Sequence, residues 1–155
     1  MKVRSPQLKL RLEAAPAAAT RWHEGAELAF LGYHLSLKLA TREQSAASDG
    51  QVLHLPLPPG ATPRQIQDAA EAWLRREAAL FIDAALVRLC PGVAPPWRFS
   101  FAARGNWTEV RHDGTLRLNW RLIEQAPALI EQALALAVAK LQAASPEPVA
   151  DLLAA

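Results

Sequence analysis

A chain of 155 residues fits one domain of ordinary size and leaves no room for two independent cores. With 51% hydrophobic and 21% charged residues and no uninterrupted apolar run near 18 residues, it is expected to be a soluble globular domain with no membrane insertion, rather than a disordered or membrane-spanning chain. The formal net charge of +2 is too small to require a nucleic-acid partner, although Lys2, Arg4, Lys9 and Arg11 all precede the first acid, Glu13. Cys90 is the single cysteine and cannot close an internal disulfide, and Ser5, Pro6 and Gln7 stand where a secretory segment would turn apolar. A bacterial-type cytoplasm is the expected location.

In chain order, Leu8-Lys9-Leu10-Arg11-Leu12 alternates as an edge strand or a tail would, and the Ala/Pro segment after it reads as a flexible linker. Residues 1–20 are therefore expected to form a basic, Ala/Pro-rich arm, residues 21–143 the folded domain and residues 144–155 a tail. From Ala26, Tyr33, Leu35, Leu37 and Leu39 alternate with polar residues around Gly32, predicting a β-hairpin with one buried face. Leu53, Leu55 and Leu57 predict a third strand, with Pro56 placing its end at an edge.

Thr62-Pro63 supplies an N-cap and a proline at the first helical position. The segment to about Leu89 then predicts a long amphipathic helix, with Ile66, Ala69, Ala70, Trp73, Leu74, Leu80, Phe81, Ala84 and Val87 at three-to-four spacing. Trp97, Phe99 and Phe101 alternate, as do Leu116, Leu118 and Trp120, predicting two further strands joined through a segment whose Asp113-Gly114 signals a turn. A last helix is expected from about Pro127 to Ala143. No polar residue falls between Ala133 and Ala139, so most of its circumference is expected to be buried. The order strands, helix, strands, helix predicts an α+β domain.

Familiar chemistry is hard to find. His23, His34, His54 and His112 lack a second ligand at i+3 or i+4 on a helix, and their ordinary roles are surface or hydrogen-bonding ones. No GxSxG elbow, P-loop, dinucleotide fingerprint, CxxC pair or EF-hand loop occurs. Cys90 sits at the end of a helix, the terminus that does not lower a thiol pKa.

One stretch carries more information. From Ala103 to Leu141 the chain reads ARGNWTEVRHDGTLRLNWRLIEQAPALIEQALALAVAKL, and upstream it reads GAELAFLGYHLSLKL and LPLPPGATPRQIQDAAEAWLRREA. In order and spacing these resemble the YgjP-like zinc metallopeptidases, relatives of the SprT-like zincins. Gly114, Leu116, Leu118, Asn119, Trp120, Arg121, Leu122, Pro127 and Ile130 match that family's strand-to-helix element, and Trp107 matches the tryptophan of its RWGS segment. The resemblance spans roughly Gly25 to Leu141. It implies a zincin-like single domain with an antiparallel sheet, formed by the N-terminal hairpin and the later strands, one long helix, and a C-terminal helix equivalent to the active-site helix.

The same alignment places the family's HExxH motif on Leu136, Ala137, Val138, Ala139 and Lys140. HExxH works because residues at i and i+4 present two imidazoles to one zinc ion while the glutamate polarises its water. Leucine cannot ligate zinc, a protonated lysine repels it, and alanine is no base. No histidine follows His112, and Val110 stands where the family has the cysteine of WGSC. The expected catalytic and metal residues, and the cofactor, are therefore none, with Leu136 and Val138 filling the core. Lys140 is expected to be partly buried and paired with Glu131, Glu147 or Asp151. A substitute metal site would have to come from Glu109, Asp113, Glu124 and Glu131.

The resulting expectation is a pseudo-metallopeptidase that acts as a binding or scaffolding domain for a protein partner. The alternatives are a nucleic-acid-associated module, using the basic arm with Arg104, Trp107 and Arg111, and an active metal-dependent hydrolase with an unrecognised site. Against the nucleic-acid alternative stands the simpler reading that Trp107 packs in the fold and the arginines are solvated.

Overall fold

The computed structural model describes residues 11–12 and 21–144. The linker at 13–20, Lys2, Arg4 and Lys9 of the arm, and the tail with Glu147 and Asp151 lie outside the described residues. The structure is α+β, with nine short strands and two α-helices among the described residues. Strand β1 (Arg11–Leu12) pairs antiparallel with β7 (Gly105–Asn106), so this part of the N-terminal stretch is an edge strand. Strands β2 (Glu27–Phe30), β3 (Tyr33–Leu39), β4 (Ala47–Ser48) and β5 (Val52–Leu55) form a sheet ordered β2-β3-β5-β4. Strands β6 (Trp97–Ser100), β8 (Thr108–Val110) and β9 (Leu116–Asn119) form another, ordered β6-β9-β8. Antiparallel pairing holds for the β2–β3 and β8–β9 hairpins, whereas β3–β5 and β6–β9 run parallel.

The predicted first hairpin is present, with Leu35 and Leu37 buried, while Tyr33 at its mouth is exposed. Its turn places Leu31 at φ 49° and Gly32 at φ 86°, the left-handed pair that matches strand twist. A Cβ on Gly32 would lie 2.9 Å from the Cα of Ala126, so glycine is needed there for space as well as for φ. Strand β5 stops at Leu55, just before Pro56, but it is interior to its sheet because the two-residue β4 covers its far side.

Helix α1 (Pro63–Leu89) opens with a complete capping box: Thr62 Oγ1 accepts from the Gln65 N–H at 3.2 Å, and Gln65 Oε1 accepts from the Thr62 N–H at 2.8 Å. Its first half buries Ile66, Ala70, Trp73 and Leu74, and its second half Ala78, Ile82, Ala85 and Leu86. The sequence expectation fails in the second half, where Leu80, Ala84 and Val87 are exposed. The buried stripe moves round the helix by about a third of a turn along its length, because the two halves serve different neighbours. Ile66 to Ala78 pack with Leu28, Leu35, Leu53 and Leu55 of the first sheet, and Ile82, Ala85 and Leu86 pack with Leu116 and Leu118 of the second. These two apolar clusters share Leu31, Phe81 and Phe99 as partly buried neighbours, which makes them one continuous core.

A 3-10 turn (Trp120–Glu124) leads to α2 (Pro127–Ala144). Trp120 belongs to this turn and not to a strand, since β9 ends at Asn119.

Candidate functional site

The motifs that carry the family resemblance are joints of the fold. Asn119 is a buried polar residue of the core, and its side chain works in both directions: Nδ2 donates to the Ala102 carbonyl at 2.9 Å, and Oδ1 accepts from the Arg121 N–H at 3.0 Å. It thereby ends β9 and caps the 3-10 turn. The Leu31 N–H donates to the Ile123 carbonyl at 2.7 Å and the Gly32 N–H to the Glu124 carbonyl at 3.1 Å, so the first hairpin clamps the same turn from the other side. Glu124 is nearly buried and accepts from Arg121 Nε at 3.1 Å, with Arg21 Nη2 at 3.9 Å. A charge-assisted cluster of this kind sets where α2 begins and how it lies.

From that anchor α2 buries Ile130, Ala133, Leu134, Ala137 and Val138, a stripe at three-to-four spacing that faces α1 and β8. Gln132, Leu136, Ala139, Lys140 and Ala143 lie on the opposite, exposed side. Two expectations are corrected here. Leu136 is 63% exposed and is no core residue, although Val138 is buried as expected. Lys140 is exposed rather than partly buried, and Glu131 pairs with Arg88 of α1 instead, while the other two candidate partners, Glu147 and Asp151, lie outside the described residues. The reason is that residues 133–139 are apolar all round, so periodicity cannot tell the packed face from the free one. The packing against α1 and β8 chooses it.

The four carboxylates near this helix do not converge. Glu109 pairs with Arg111 at 3.6 Å, Asp113 Oδ1 accepts from the Thr115 N–H at 2.9 Å, Glu124 is held by arginines, and Glu131 is on Arg88. The hydrogen bonds from Thr115 hold the Asp113 carboxyl below its usual range. Among the described residues no group of three or more His, Cys, Asp or Glu side chains is arranged to hold a metal ion. His23, His34 and His112 are exposed, and His54 is half-buried with Nε2 3.3 Å from Asp49 Oδ2.

Trp107 is buried in the second cluster, with its indole Nε1 lacking a hydrogen-bond partner among the described residues, so it offers no ring face for stacking on a base. Arg104 and Arg111 are exposed. The tryptophan and the two arginines thus do not form one binding surface. What sequence reasoning missed is a row of arginines on the outer face of the β6-β9-β8 sheet, visible only once the strand registers are known.

Among the described residues no helix is long and apolar enough to cross a membrane. Neither the curated proteins nor the solved structures give a match to this chain. The family model described as YgjP-like, metallopeptidase domain, matches residues 3–134, a span that contains the FLG hairpin, α1, the β6-β9-β8 sheet and the LNWRL joint, and on that match the chain belongs to the YgjP-like metallopeptidase domain family.

Proposed function

We propose that this chain is a pseudo-metallopeptidase, a family member whose zinc ligands and general base are gone and whose domain persists as a binding or scaffolding unit for a protein partner. The observation that carries the reading is the solvent face of α2. Leu136 and Lys140, the positions onto which the resemblance carries the two histidines, stand exposed at i and i+4, and neither side chain can donate a lone pair to a dication at neutral pH. Ala137, at the glutamate position, is 2% exposed within an apolar cluster. The family implies a zinc ion, and the residues present do not fit one.

The polarity of the surroundings agrees with this. An unpaired His or Glu buried without metal costs several kcal/mol in principle, so an apolar residue at the inward position 137 is the stabilising replacement. The nucleic-acid reading loses its stacking residue with the burial of Trp107. The active-hydrolase reading has no cluster of donor side chains among the described residues to rest on.

Elemental analysis of protein purified without chelator tests the proposal. The expected result is far less than one zinc per chain. One tightly held zinc per chain, released only by strong chelation, would overturn it.

A further inference from the structure

The registers of the β6-β9-β8 sheet sort its side chains into two faces. Trp97 is opposite Leu116, which is opposite Val110, and Phe99 is opposite Leu118, which is opposite Thr108; these rows turn towards the helices. Between them runs a row turned to solvent: Arg98 on β6, Arg117 on β9 and Glu109 on β8. Arg98 and Arg117 are register partners on neighbouring strands, hence about 4.8 Å apart in backbone spacing. Like charges placed directly opposite each other destabilise a sheet unless something neutralises them.

Among the described residues Glu109, beside Arg117 in the row, offsets only part of this charge. Glu109, the other neighbour of Arg117, has its ion pair with Arg111. Asp113 is committed to the backbone of Thr115. Among the described residues no carboxylate lies within ion-pair distance of Arg98 or Arg117. The β8–β9 hairpin, closed by the Arg111 N–H to the Thr115 carbonyl at 2.9 Å and by Gly114 at φ 88°, brings Arg111 back beside them. The result is a cavity of about 330 Å³ lined by Arg98, Phe99, Arg111, Asp113, Thr115 and Arg117. Three arginines face Asp113 in the lining and Glu109 beside it, which leaves one positive charge in excess.

We infer that this cavity is a binding site for the phosphate group of a small phosphorylated molecule, held by the guanidinium groups of Arg98, Arg117 and Arg111. A phosphate monoester carries about 1.5 to 2 negative charges at neutral pH, opposite in sign to the excess. The planar guanidinium fork donates two parallel hydrogen bonds to phosphate oxygens, a geometry that a lysine point charge lacks. The volume lies at the small end of ligand pockets, which run from about 300 to 1,000 Å³, and favours a compact ligand over a polymer. The site shares no residue with Leu136, Ala137 or Lys140, so it stands whether or not the peptidase chemistry is lost.

The test is calorimetric titration of the full chain with inorganic phosphate, pyrophosphate and a single-stranded oligonucleotide at low ionic strength. Pyrophosphate is expected to bind saturably, and the Arg98→Ala/Arg117→Ala double variant to bind it at least about tenfold more weakly. That variant should melt no lower than the parent, since removing two opposed charges relieves repulsion. A second double variant, Arg42→Ala/Arg76→Ala, removes two exposed arginines elsewhere and should leave the affinity unchanged. Absence of saturable binding by either phosphate probe up to about 10 mM, or equal loss in both double variants, would overturn the site. An oligonucleotide bound more tightly than pyrophosphate, and weakened alike by both pairs of substitutions, would replace it with a diffuse basic surface.

Discussion

Leu136 and Lys140 stand one turn apart on the solvent face of α2, the spacing at which two side chains could share a ligand, and neither is held by a neighbour among the described residues. Between them Ala137 points into the core beside Ala133, Leu134 and Val138. The helix therefore presents two side chains without metal-donor chemistry to solvent and a small apolar one to the core, and that division makes its consequences measurable.

Leu136→His is expected to change stability by no more than about 0.5 kcal/mol, because the position is largely exposed. Leu134→Ala, two residues earlier on the same helix but fully buried, should cost about 2 to 5 kcal/mol. Denaturant unfolding of the two variants side by side decides the matter; a large loss for Leu136→His would place that side chain in the core.

Lys140→Met should likewise be neutral within about 0.5 kcal/mol. A marked loss, read from the same unfolding curves, would mean that the ammonium neutralises an acid in the folded chain.

Ala137→Glu should destabilise by about 3 kcal/mol or more, since it forces a longer, ionisable side chain into an apolar cluster. A melting temperature equal to that of the parent would show that position 137 opens to water.

Gly32→Ala combines left-handed backbone with a Cβ pressed on Ala126, and a loss of roughly 2 to 5 kcal/mol is expected from the two effects together. Because Gly32 also donates to the Glu124 carbonyl, amide exchange in the 3-10 turn should speed up in the same variant. Unchanged exchange there would uncouple the hairpin from the turn.

Asp49 provides a pH test. Its carboxylate accepts from the N–H groups of Gln51 and Val52 at 2.9 and 2.8 Å and lies beside His54, and the backbone bonds first, then the histidine, push its pKa down to about 2. A carboxyl lowered on folding contributes stability that is complete above its unfolded value near 4 and is lost as pH falls through about 2. Carbon-detected NMR titration should find that midpoint, and Asp49→Asn should flatten the acid limb of the stability curve.

Much of this protein was legible without coordinates. Thr62-Pro63 set the start of α1, Gly32 the first turn, and Asp113-Gly114 the second, because caps and tight turns depend on a few adjacent residues. The strand, helix, strand, helix order followed from periodicity, and the absence of metal-donor side chains at positions 136, 137 and 140 was plain from residue types alone. Other features needed the tertiary structure. The apolar run from Ala133 to Ala139 could not say which face packs, so Leu136 looked buried until α1 and β8 were seen to take the other side. The stripe of α1 rotates because its two halves meet different sheets, and the exposure of Leu80 and Val87 follows from those neighbours. Arg98 and Arg117, 19 positions apart in the chain, became partners only through the parallel β6–β9 register. Local sequence decides caps, turns and period; which faces meet depends on contacts between segments that no local pattern encodes.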